Sequence, residues 1–95
     1  MSCTVEVRRV LKSTKLGRVL GCVVLEGEIR RGDVVAVSRG GRPVGRAAVE
    51  DVRRYSACDV VVGEGLECGI RLPEHLVVEE GDVLEGTGDR VRLEA

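Results

Sequence analysis

The stretch RVLGCVVLEGEIRRGDVVAVSRGGRP, residues 18–43, decides the fold class. RVLGCVVL (18–25) and VVAVS (34–38) are short β-branched runs, the composition of strands that pack on a pleated surface. Between them EGEIRRGD places two turns, at Gly27 and at Gly32-Asp33. RGGRP (39–43) then reads as a hairpin turn in which Gly40-Gly41 supplies the positive φ that such a loop requires. Gly21 lies inside the first run, and a strand-interior glycine marks a bulge, a bend, or close approach by another backbone or a ligand.

The same grammar extends in both directions. Residues 4–10 alternate, with Val5, Val7 and Arg9 on one face and Glu6 and Arg8 on the other, before KSTKLG (12–17) breaks the strand. VGRAAVEDV (44–52), VVV (60–62), LECGIRL (66–72), DVLEG (82–86) and RVRLE (90–94) are all strand-like and bounded by glycines. Only Ala48-Val49-Val52 approaches a helical period, and it is too short to stand alone. EIRRGDVVAV (28–37) and VVEEGDVLEG (77–86) share a charge-charge-Gly-Asp-Val turn, in which glycine takes positive φ and aspartate bonds local backbone as the next strand starts. Gly63-Glu64-Gly65 fits a turn better than a phosphate cradle. Seven or eight such strands predict an all-β fold: a small closed antiparallel β-barrel or a sandwich.

Composition agrees. The 95 residues include 19 Val and 13 Gly but one Tyr and no Phe or Trp, and they suffice for one domain, 1–95. No apolar run approaches the ~20 residues of a membrane helix, and the N-terminus MSCTVEVRRV lacks a signal-peptide core. The four cysteines, Cys3, Cys22, Cys58 and Cys68, are expected as reduced thiols of a cytoplasmic protein. They contain no C-x-x-C pair, so no metal site is expected. His75, the one histidine, stands in an apparent loop with no nucleophile beside it, so no catalytic residue and no enzyme is expected. The net charge of −1 hides an asymmetry: residues 1–54 hold 12 Lys/Arg and six acids, while residues 55–95 hold three Arg and ten acids. Folding is expected to interleave those halves, although a basic face for a polyanion is the alternative.

Chemistry concentrates in VEDVRRYSACDVVVGEGLECGIRL (49–72). Arg53-Arg54-Tyr55 offers two guanidinium groups, suited to bidentate phosphate contacts, and the chain's one aromatic ring, suited to stacking. In a continuous strand Arg53 and Tyr55 would share a face and Arg54 would oppose them. The competing reading is an exposed basic strand end whose Tyr plugs a rim.

The blocks GCVVLEGEIRRGDVVAVSRGGRPV (21–44), the 49–72 run and EEGDVLEG (79–86) resemble, in that order, the C-terminal domain of bacterial translation initiation factor 2. The resemblance runs from Val5 to about Arg90, and RRY followed by LECG is its most specific part. It implies a closed barrel of six to eight strands, like domain two of elongation factor Tu. It also implies binding of the formylmethionyl group and CCA acceptor end of initiator tRNA through Cys22, Arg53, Arg54, Tyr55, Ser56, Glu67, Cys68 and Gly69. Cys22, Cys68 and the Gly69 backbone would make a shallow thioether pocket, the alternative for the two cysteines being small core hydrophobes, and Glu67 would orient Arg53 or Arg54. Where this chain has Ser56 the family usually has Lys, so one cation is missing, and Leu66 stands where an aromatic is common. Implied too are a monomer excised from a larger multidomain cytoplasmic factor, the ribosome as that factor's partner, and GTP bound by a separate domain. The alternative is the second β-barrel of another translational GTPase, a ribosomal-RNA or interdomain contact module without amino-acid recognition.

Overall fold

The computed structural model describes residues 3–93 and is all-β. Strands β1 (Thr4–Ser13), β2 (Gly17–Glu26), β4 (Asp33–Arg39), β5 (Arg42–Ala48), β6 (Asp51–Arg53), β8 (Glu67–Arg71) and β9 (Val83–Arg90) form one antiparallel sheet in the order β5-β4-β9-β1-β2-β8-β6. The two-residue strands β3 (Glu28–Ile29) and β7 (Val62–Gly63) pair separately. The turns fall where the sequence places them. Gly40 and Gly41 have φ of 58° and 82°, as the β4–β5 hairpin demands. Gly32 and Gly81 also have positive φ, and the aspartate after each accepts a backbone N–H three residues back: Arg30 to Asp33 at 3.0 Å and Glu79 to Asp82 at 2.9 Å.

Alternation buries one face of the sheet. Val5 and Val7 of β1, Leu20, Cys22 and Val24 of β2, Val35 and Val37 of β4, and Cys68 and Ile70 of β8 form a single core. Each fully buried aliphatic side chain contributes roughly 1.5–3 kcal/mol. Leu76 and Val78, in the loop 72–82, cover one end of that core. Two arginines hold the loop. Arg18 donates to the carbonyls of Leu76 (2.7 Å) and Pro73 (2.9 Å), and Arg39 forks onto the buried Asp82 at 2.8 and 2.9 Å. The Arg39 guanidinium beside it holds the Asp82 carboxyl below the usual carboxylate range. Pairs such as Arg39–Asp82 and Arg90–Asp33 join the basic and acidic halves.

Several expectations change. The 44–52 run is two strands, because the chain crosses from one edge of the sheet to the other at Val49-Glu50. Val49 exchanges hydrogen bonds with Gly32 and Asp33 beside β4, while the Glu50 N–H bonds Arg71 on β8 at 2.8 Å. No ladder joins β5 to β6, so the expected closed barrel is not seen as a hydrogen-bonded ring. VVV 60–62 contributes only Val62 to a strand. DVLEG extends into β9, which ends at Arg90, so of the expected strand RVRLE only Arg90 is in a strand and 91–93 are not; residues 94–95 lie outside the described part.

Candidate functional site

The site starts from a bulge. In a regular β1, Arg9 would follow Val5 and Val7 into the core. Instead Val7 pairs with Cys22 and Arg9 with Gly21, leaving Arg8 as an extra residue. A bulge re-aims the side chains after it. Arg8 and Arg9 therefore both stand exposed, and the inward pattern resumes with Val10, which packs against the core. The correction to the sequence reading is specific: Arg9 leaves the Val5/Val7 face.

The ladders then build a row across four neighbouring strands. Arg9 pairs with Gly21, Gly21 with Gly69, and Gly69 with Arg53. Paired residues point to the same face. The row spans three inter-strand gaps, about 14 Å at ~4.8 Å each. Two arginines thus flank a gap that has no side chains. A Cβ on Gly69 would meet Val19 Cγ1 at 3.0 Å, whereas one on Gly21 would come no closer than 3.5 Å to Arg9. The result is a cleft of about 390 Å³ whose floor is the Gly21 and Gly69 backbone, with Leu11 and Val19 supplying apolar wall. That volume is within the ordinary range for small-ligand sites.

Arg53, Arg54 and Tyr55 all reach this cleft. The strand alternation expected of them is overridden because β6 ends at Arg53. Arg54 and Ala57 then exchange N–H···O bonds of 2.9 and 3.0 Å around a two-residue turn. Tyr55 occupies the first central position at φ 57°, a conformation that suits glycine. Holding a tyrosine there costs of order 1–3 kcal/mol. The turn leaves the ring 93% exposed, with the Arg54 guanidinium 4.8 Å from its centroid. Arg53 is fixed by Asp51, whose Oδ2 accepts from Nε at 2.8 Å while Oδ1 accepts from the Asp59 N–H at 3.1 Å. The Nε of Arg54 is buried with no hydrogen-bond partner.

Seven of the eight sequence-predicted residues, Cys22, Arg53, Arg54, Tyr55, Glu67, Cys68 and Gly69, line the cleft; Ser56 does not. Two roles differ from expectation. The Cys22 and Cys68 side chains, 2% and 7% exposed, belong to the core, so the thiols lie beneath the floor rather than within a thioether pocket. Burial pushes both thiols up, Cys68 to about 11. Among the described residues no ion pair joins Glu67 to Arg53 or Arg54; Asp51 performs the orienting task. Sequence reasoning missed Arg8, Arg9, Leu11 and Val19, and marked Gly21 only as a bulge, bend or close approach without assigning it to the site. The available signal was the β1 alternation, which breaks at Arg8-Arg9 before Val10-Leu11. Leu66 is exposed outside the cleft lining, and His75 is an exposed turn residue that is also outside it. All four cysteines are free, and among the described residues no cluster of metal-ligating side chains occurs.

Comparison with known proteins relates the chain to a family. No family model matches the chain. It is 39% identical over 80 residues to translation initiation factor IF-2 of Pelotomaculum thermopropionicum, an alignment spanning 84% of this chain and 8% of that protein. Against IF-2 of Azobacteroides pseudotrichonymphae the identity is 34% over 85 residues, 90% of this chain and 9% of the relative. The IF-2 of Rubrobacter xylanophilus is 39% identical over 84 residues, 88% of this chain and 12% of the relative. The crystal structure of GDP-bound aIF5B from Aeropyrum pernix superposes with a TM-score of 0.67 at 17% identity, over 90% of this chain and 14% of that one, which shows a shared fold. The chain thus spans about a tenth of the length of the relatives it matches. With 84–90% of its residues aligned at 34–39% identity, it belongs to the translation initiation factor IF-2 family, as the counterpart of one segment of those longer proteins.

Proposed function

We propose that this chain binds the formylmethionyl-CCA acceptor end of initiator tRNA, without catalysis, as the C-terminal part of a cytoplasmic initiation factor that acts on the ribosome. The carrying observation is the convergence of Arg53, Arg54 and the exposed Tyr55 ring on a cleft floored by Gly21 and Gly69. Guanidinium groups fork onto phosphate oxygens, and an exposed aromatic ring stacks on an unpaired base at about 1–3 kcal/mol. The apolar wall of Leu11 and Val19 suits a thioether side chain, and the bare backbone floor admits a close-lying amide. Formylation matters because of charge. A free methionyl α-amine is cationic, and the cleft already holds Arg8, Arg9, Arg53 and Arg54; the formyl cap removes that repulsion. Discrimination in this reading comes from the arginines, with Glu67 a minor counterweight.

We also read the sheet as a barrel whose two edges are joined covalently through Val49-Glu50 rather than by a ladder, and the chain as a monomer. GTP binding belongs to another part of the full-length factor. The test is a titration of the chain with formylated and unformylated methionyl acceptor-stem minihelices, with hydrolysis of the aminoacyl ester followed in parallel. Preference for the formylated form and slower ester hydrolysis support the reading. Equal affinity for both forms with unchanged hydrolysis overturns it in favour of a contact module that holds no amino acid.

A further inference from the structure

We infer that the bulge-borne Arg9, assisted by Arg8, is a second cationic wall of the cleft and holds a backbone phosphate of the single-stranded 3′ end opposite Arg53 and Arg54. This rests on the proposed function and adds to it residues on β1 that the sequence reading did not assign. Three observations carry it. The bulge turns the Arg9 side chain out of the core face and into the Arg9–Gly21–Gly69–Arg53 row, while Val10 takes up the inward position. The two walls differ in their restraint. Arg53 is pinned by Asp51 and Arg8 by Glu6 at 2.7 Å, whereas Arg9 makes no ion pair or hydrogen bond among the described residues. The cleft between them also pairs charge with a stacking surface, the Tyr55 ring under Arg54. Guanidinium groups beside an exposed ring over open backbone are the combination that tracks an unpaired nucleic-acid strand.

The bulge is itself held from outside. The Val7 N–H donates to the Asp82 carbonyl at 2.9 Å, and the Gly81 N–H donates to the Val7 carbonyl at 2.8 Å. The Gly-Asp-Val turn of 81–83 therefore fixes β1 at the residue before the bulge. Arg9 is presented by a restrained strand rather than by a loose loop, which lowers the entropic cost of using it.

The experiment titrates a formylmethionyl acceptor-stem minihelix with a single-stranded 3′ end against the wild-type chain, Arg9→Gln, Arg9→Lys, Arg54→Gln and Arg46→Gln at several salt concentrations. Arg46 is exposed on β5, away from the cleft, and controls for net charge. Loss of one phosphate contact makes the slope of log affinity against log salt shallower by about 0.7, so that between about 50 and 200 mM salt Arg9→Gln loses ~2.6-fold less affinity than wild type. Arg9→Lys restores the slope, and Arg46→Gln leaves it unchanged. An unchanged slope in Arg9→Gln beside a shallower one in Arg54→Gln overturns the second wall and leaves the proposed function standing. A wild-type chain that does not retain the minihelix at low salt overturns both.

Discussion

Gly21 and Gly69 are direct cross-strand partners, yet adding one methyl to each should have opposite consequences. Both have φ outside the positive range, so alanine is sterically allowed by the backbone. Replacing a strand glycine then gains about 0.5–1 kcal/mol from the reduced freedom of the unfolded chain. At Gly21 the nearest atom to the new Cβ is Arg9 Cβ at 3.5 Å, an ordinary contact, so the gain survives. At Gly69 the new Cβ meets Val19 Cγ1 at 3.0 Å. That is well inside the optimal carbon–carbon separation of about 3.5–4.0 Å. Val19 is β-branched and stiff at χ1, so relief needs an off-rotamer side chain or a backbone shift, together about 1–3 kcal/mol. Gly21→Ala should therefore stabilise by about 0.5 kcal/mol and Gly69→Ala destabilise by about 1 kcal/mol, a difference of roughly 1–2 kcal/mol between identical substitutions. Urea unfolding of both variants and of Gly69→Ala/Val19→Ala measures this. The double variant should recover at least about 0.5 kcal/mol relative to additivity, because the clash partner is gone. Each added methyl also rises from the cleft floor, so minihelix affinity should fall in both, including in the more stable Gly21→Ala. A Gly69→Ala chain as stable as Gly21→Ala would refute the packing argument. Unchanged binding in both would refute the floor.

Other outcomes separate stability from recognition in the same way. Tyr55→Gly should stabilise the fold by about 1 kcal/mol through relief of the positive φ, while weakening minihelix binding, as read by thermal unfolding beside titration. At mildly alkaline pH iodoacetamide should modify the exposed Cys58 in the native chain and spare Cys22 and Cys68, whose burial raises their thiol pKa; mass mapping of the alkylated sites reads it. The same shift means that stability held below the ordinary thiol range is lost as pH rises toward about 11, where Cys68 ionises in the folded state. Asp82, held below the usual range by Arg39, contributes stability that is present above that range and lost as pH falls through its lowered value. Asp82→Asn should accordingly have a lower Tm near neutral pH and a flatter acid limb than wild type.

Most strands and turns were legible in the sequence because each rested on a local rule. Gly40-Gly41 could only be a turn of positive φ, and Gly32-Asp33 and Gly81-Asp82 each carried their own hydrogen-bond acceptor. The residues of the candidate site were legible through RRY and LECG, and the cleft does collect seven of the eight. Their roles were less legible. Cys22 and Cys68 look like pocket thiols in sequence, but alternation along β2 and β8 sends their side chains to the core. Arg53-Arg54-Tyr55 look like alternating strand residues, but β6 stops at Arg53 and the turn redirects the next two.

By itself, then, the sequence determined an all-β chain of short valine-rich strands, the positions of its glycine turns, and its kinship with an initiation factor. Those features depend on backbone sterics and period-two burial, which act over a few residues. The tertiary structure alone decided that Arg9 faces Arg53 across two bare glycines. Register between strands is a long-range property: one extra residue at Arg8 flips every side chain after it, and no local preference of Arg9 reports which strand it will meet.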